Sequence, residues 1–204
     1  AGMMLSLQRS GCHNINFVTP THFVPQILEA LPVAIEKGLQ LPLVYNCSGY
    51  EKPETLKILE MVIDIYMPDF KFWNSDYSRK YADAPDYPET ARKSLLEMHR
   101  QTGDLEIDES GCAFKGVLVR HLVMPGMLED TENILNFISR SVSRDTYVNL
   151  MDQYRPCGRS GKHPELMRTV TPEEYARAKE CADRAGLTRL DQRDLPGILR
   201  RLGL

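Results

Sequence analysis

The chain repeats one local grammar along most of its length: a short apolar run, a polar cluster at its carboxyl end, then a helix of amphipathic period. Ile15–Val18 runs into Thr19-Pro20-Thr21-His22, and Leu43–Tyr45 into Asn46-Cys47-Ser48-Gly49. The run from Ile63 ends in Asp69-Phe70-Lys71, Val117–Val123 ends in Met124-Pro125-Gly126, and Tyr147–Met151 in Asp152-Gln153-Tyr154-Arg155. Strands alternating with helices of about a dozen residues make right-handed βαβ units and a parallel sheet. In such sheets binding groups collect at the carboxyl ends of the strands. The expected fold is therefore α/β, an incomplete (β/α)6-type parallel barrel, a TIM-like partial barrel with about five strands present.

The helices are bounded by recognisable signals. Pro25–Lys37 stops at Gly38, Pro53–Met61 opens on Pro-Glu, and Tyr87–Gln101 follows a proline-rich loop and stops at Gly103. Asp130–Ser141 begins Asp-Thr-Glu, and Thr171–Ala185 opens with Thr171-Pro172-Glu173-Glu174 and closes at Gly186. Met3–Ser10 reads as the last turns of a helix closed by Gly11, with nothing upstream to cap its start, so the chain reads as a fragment. Residues 1–186 are expected to form the barrel domain and 187–204 a charged tail, with Leu195, Ile198, Leu199 and Leu202 at helical spacing.

At 204 residues and 42% hydrophobic content one compact core is affordable. A net charge of −3 argues against nucleic acid or an anionic membrane as partner. No apolar stretch reaches the ~18 residues of a membrane span, and no signal-like start is present, so a soluble chain is expected. Five scattered cysteines, Cys12, Cys47, Cys112, Cys157 and Cys181, form no C-x2-C pair and suit a reducing, cytoplasmic setting. No metal site is expected from them, and His13, His22 and His121 lack ligand spacing. Gly158–His163 lacks the four residues between the glycines of a phosphate loop and reads as an exposed crossover.

Asp69 and Lys71, two residues apart on one strand face, suit either a strand-end salt bridge or a binding site. Arg120 interrupts an apolar strand and is costly unless paired. Read in order, Asp64-Ile65-Tyr66-Met67-Pro68-Asp69-Phe70-Lys71 resembles the strand ending in Asp-x-Lys of the pyruvate formate-lyase-activating enzymes, in the radical S-adenosylmethionine (SAM) superfamily. Val119-Arg120-His121-Leu122-Val123-Met124-Pro125-Gly126 resembles their next strand, and Tyr45–Tyr50 stands where the family has Thr-Asn-Gly. Cys12–Phe23 is similar to an uncharacterised activase-like branch.

The resemblance spans roughly Met3 to Ala185. It implies a SAM-cleaving enzyme that generates a radical on a protein or small molecule, with a glycyl radical enzyme and an electron donor as partners. Asp69, Lys71 and Arg120 would be the reacting-site charges, and Thr21, His22, Asn46, Ser48 and Tyr154 the cofactor contacts. Two departures stand out. The C-x3-C-x2-C trio that binds the [4Fe–4S] cluster is absent from this chain and would belong to a loop before residue 1. The family's Gly-Gly-Glu falls near Pro20-Thr21-His22. Two alternatives stay open: a Schiff-base aldolase using Lys71, and a truncated, non-catalytic barrel whose exposed edge at the Ile15 strand pairs with another chain or a second copy.

Overall fold

A computed structural model describes residues 1–191. The elements run α1 (Gly2–Arg9), β1 (Ile15–Val18), α2 (Val24–Glu36), β2 (Leu43–Cys47), α3 (Pro53–Ile58), β3 (Ile65–Pro68) and α4 (Ser75–Ala82). They continue with α5 (Tyr87–Thr102), β4 (Glu106–Ile107), β5 (Ala113–Leu122), α6 (Leu128–Phe137), β6 (Tyr147–Met151) and α7 (Pro172–Ala185). The five expected strands are all present. No helix of the described residues is long and apolar enough to cross a membrane.

β1, β2, β3, β5 and β6 lie side by side in chain order and are all parallel. A sheet wound in one direction sends every right-handed crossover over the same face. The core follows that rule. Tyr45, Tyr66, Val117, Val119 and Val148 share one apolar cluster with Leu31 of α2, Leu56 of α3, Leu95 and Met98 of α5, Leu135 of α6 and Ala182 of α7. Alternate residues on the opposite face form a much smaller cluster, Val44 and Ile65 with Leu105, flanked by Met67, Leu118 and Tyr147. Among the described residues the sheet is thus covered by helices on one side and largely open on the other, and it does not close, since β1 and β6 are not paired.

Local chemistry explains the principal elements. α5 buries Tyr87, Ala91, Leu95, Met98 and Thr102, spaced three or four apart, and is stopped by Gly103. α7 opens with a full capping box: Thr171 Oγ1 accepts from the Glu174 amide, and Glu174 accepts from that of Thr171. Glu174 also accepts from the Gly126 amide and pairs with Arg168 at 2.6 Å, which fixes α7 to the loop after β5.

Several details depart from the expectations. α4 carries few apolar residues and is set by the Asn74 side chain, which caps the Asp76 amide. The α5–β5 connection folds into a hairpin, with β4 antiparallel to β5 and Asp108 accepting from Ser110 and Cys112 in the turn, so among the described residues the sheet has six strands rather than five. The sheet also runs past the boundary expected at 186. Leu187 is fully buried, and Leu190 bridges to Val148 in parallel, with Val148 donating to Arg189. The start of the tail expected at 187–204 is therefore extended at Arg189–Asp191; the residues at helical spacing, Leu195, Ile198, Leu199 and Leu202, lie outside the described residues.

Candidate functional site

Strand register brings the polar residues into a row. Asn46 on β2 lies beside Met67 on β3, and just past the end of β3 Asp69 bridges to Arg120 on β5. Asn46 and Arg120 belong to the open face, alternating with Tyr45 and Val119 of the helix-covered one. The Arg120 guanidinium donates to Asn46 Oδ1 at 2.7 Å and pairs with Asp69 Oδ1 at 2.6 Å. Lys71 Nζ lies 3.4 Å from the other oxygen of Asp69. One continuous row, Asn46–Arg120–Asp69–Lys71, thus crosses the carboxyl ends of three neighbouring strands.

Arg120 is three-quarters covered, its side chain 25% exposed, and its Nε is buried without a hydrogen-bond partner among the described residues. A buried donor left unpaired costs about 1–3 kcal/mol. A ligand acceptor would remove that cost. Beside the row, Asp69 and Lys71 line a cavity of about 560 Å³ with Leu122, Met151, Tyr154 and Arg155.

The backbone behind the row is held tightly. Tyr87, from the start of α5, places its hydroxyl within 2.9 Å of the Ser48 carbonyl, 3.0 Å of the Asp69 carbonyl and 2.9 Å of the Lys71 amide. One hydroxyl hydrogen donates to the carbonyls while its oxygen accepts from Lys71. Gly49 has φ +75°, and a Cβ there would fall on the Asp69 carbonyl oxygen, so only glycine lets the β2 loop come this close to the end of β3. On the helix side of β5, His121 Nδ1 is 2.7 Å from the Phe70 carbonyl and Nε2 is 2.9 Å from Thr131 Oγ1. Since a carbonyl only accepts, Nδ1 carries the proton and Nε2 accepts from Thr131. Burial pulls this histidine down to about 4.

The remaining site candidates are not drawn into the row. Thr21 donates to Glu51 at 2.6 Å, His22 is exposed, and neither contacts Arg120. Ser48 reaches the Tyr50 amide at 3.4 Å. Tyr154 lines the cavity with its ring, but its hydroxyl is engaged by the Leu166 carbonyl at 3.0 Å. Sequence reasoning missed Glu51, 2% exposed beneath Thr21 and Tyr45, whose carboxyl is raised by burial, with the Thr21 hydroxyl pulling it back. Cys47 is also buried, and burial with the Glu51 charge pushes its thiol up, as suits an inert thiol.

All five cysteines are free, and among the described residues no three His, Cys, Asp or Glu side chains converge as metal ligands.

No family model matches the chain. A relative comes from an archaeon. Over 183 residues the chain is 32% identical to the uncharacterized protein MJ0674 of Methanocaldococcus jannaschii, an alignment covering 88% of this chain and 49% of the relative. The chain thus spans about half the length of that curated relative.

Proposed function

We propose that the chain forms the greater arc of a (β/α)6-type barrel in a radical SAM enzyme of the activase-like kind, working in the cytoplasm. Support for the barrel comes from the winding: strands in chain order with every helix on one face leave a concave interior, whereas a doubly wound sheet carries helices on both. Support for the site comes chiefly from Arg120, whose unpaired Nε sits between Asn46 and Asp69 at the strand ends. These residues fit the cofactor chemically. Arg120 and Lys71 suit its carboxylate, Asp69 its ammonium, and Asn46 and Ser48 its ribose hydroxyls. The chemistry SAM supplies is reductive cleavage to a radical that draws hydrogen from a substrate, here a protein or a small molecule, with an external electron donor.

The described residues offer a [4Fe–4S] cluster no cradle. Their part in the reaction is to grip, orient and screen: the row fixes charge, Tyr87 and Gly49 hold its backbone, and the cavity beside Lys71 receives the substrate. The aldolase alternative is disfavoured by the setting of Lys71, whose side chain is 44% exposed and ion-paired, whereas amine nucleophiles need a dry site. Pairing through β1 remains a second reading, carried by Val18, 67% exposed on an edge that no described strand covers.

Calorimetry with SAM tests the proposal. A hydrogen bond to a charged group is worth about 1.5–3 kcal/mol and a neutral one about 0.5–1.5, so Lys71→Ala should weaken binding roughly tenfold or more and Asn46→Ala about two- to tenfold. SAM binding that both substitutions leave untouched, or borohydride trapping of an aldehyde on Lys71, would overturn it.

A further inference from the structure

A second cavity of about 530 Å³ opens beside the first, and Tyr154 and Cys157 line both. Its walls come from segments far apart in sequence, the end of α4 at Lys80–Asp83 and the turn Gly158–Lys162 with His163. Phe72, Met124 and Leu166 give it an apolar floor.

The rim is cationic in a chain whose net charge is −3. Lys80, Arg159 and Lys162 surround the opening, and Arg155 stands on the neighbouring cavity. Only part of this charge is neutralised. Lys80 is held by Glu165 at 2.6 Å, but Arg159 meets Asp83 at 3.6 Å with both side chains more than four-fifths exposed, a pair worth little. Lys162 has no carboxylate within ion-pair distance among the described residues, and the Arg155 guanidinium donates to the Tyr154 carbonyl. Two acids, Glu165 and the loosely placed Asp83, thus face three cations, and the excess positive charge on this hollow is offset when an anion joins them.

We propose that this cleft holds the phosphate end of a phosphorylated small molecule, the remainder of which lies in the cavity beside Lys71. A phosphate dianion spreads charge over three oxygens and suits several separate point donors, here Lys162, Arg159 and the Ser160 hydroxyl. A carboxylate is satisfied by a single arginine fork. Both hollows fall in the size range of small-molecule sites, and Tyr154 and Cys157, which line both, make them neighbours. The proposal concerns the anion alone and does not rest on the cofactor reading above.

The test is titration of the whole chain with inorganic pyrophosphate at low salt, followed by amide NMR shifts and calorimetry, with malonate as the carboxylate probe. Saturable binding is expected, with the largest shifts at Ser160–His163 and Tyr81, weakened at least tenfold in Arg159→Gln/Lys162→Gln. Both residues are exposed, so the variant should fold. Lys37→Gln/Lys57→Gln, just after α2 and within α3 and absent from the lining of both cavities, serves as the control for diffuse charge and should bind as the parent does. Absence of saturable binding, equal weakening in the control, or malonate binding as tightly as pyrophosphate each overturns the proposal, whether or not SAM binds.

Discussion

Acid should destabilise the protein through one residue that also aligns the site. His121 is 2% exposed, neutral, and pulled from its ordinary range near 6.5 down to about 4 by burial. A base with a lowered folded-state value contributes stability that is complete above about pH 6.5 and lost as pH falls through 4. The shift of roughly 2.5 units corresponds to about 3 kcal/mol once fully lost, of which about 2 kcal/mol is gone by pH 5. On protonation Nε2 would face the Thr131 hydroxyl as a donor, and that hydroxyl has the Met127 carbonyl at 3.4 Å to turn to, so the penalty comes from burying the charge rather than from a lost bond. The Phe70 carbonyl, which accepts from Nδ1, lies between Asp69 and Lys71, so loosening is expected at the row.

Urea unfolding at pH 7 and pH 5 measures this. Glu51 and Asp130, both raised by burial, take up protons in the folded state and work in the opposite direction, so the parent protein alone is not diagnostic. The comparison with His121→Gln is. Gln retains a donor toward the Phe70 carbonyl and does not titrate, so its stability should fall about 2 kcal/mol less between the two pH values. Equal pH dependence in both proteins, or a His121 signal, assigned by its absence from His121→Gln, that titrates near 6.5 in the folded state, would refute the reasoning.

Three further outcomes are expected. Asp69→Asn should cost about 1–3 kcal/mol in urea unfolding, below the 3–5 of a fully buried pair because Arg120 is a quarter exposed, while Asp69→Leu/Arg120→Met should recover most of it; a costless Asp69→Asn would show that the row is not coupled. Gly49→Ala should lower stability by roughly 2–4 kcal/mol, from the left-handed backbone and the displaced Asp69 carbonyl, and a thermal melt shifted by less than a degree would contradict that close approach. Val18→Lys should reduce any self-association seen by light scattering, since a charge on an open edge discourages strand pairing, and unchanged association would place the contact elsewhere.

The strands were legible because each apolar run is punctuated by polar residues at its carboxyl end; the same punctuation singled out Asn46, Asp69 and Lys71, while Arg120 stood out as a charge interrupting an apolar run. Their meeting was only partly legible: Asp69 and Lys71 are near in sequence, but Arg120 reaches Asn46 from 74 residues away through register. Glu51 was missed because an acid two residues before Pro53 reads as an ordinary polar residue of the loop that leads into the helix; its partners are Thr21 and Tyr45. Tyr87 was missed for a similar reason, since three backbone contacts to the β2 and β3 loops leave no local pattern. The strand-like end at Leu190 was read as tail because apolar spacing in a charged segment overrode two residues of extended pairing.

The open face explains why the row is built as it is. On the helix-covered face, apolar packing alone can set each strand's position. On the open face that packing is confined to the amino-terminal half, around Val44, Ile65 and Leu105. Toward the carboxyl ends polar contacts replace it, and Arg120 has to satisfy Asn46 and Asp69 together while leaving one donor free. Such a row contributes little net stability against an apolar replacement of the same volume, since desolvating charges offsets their attraction. Retaining it at the mouth of a cavity therefore makes physical sense where the charges meet a ligand, and the double apolar variant separates the two roles: stability kept and ligand binding lost would place the row's value in recognition.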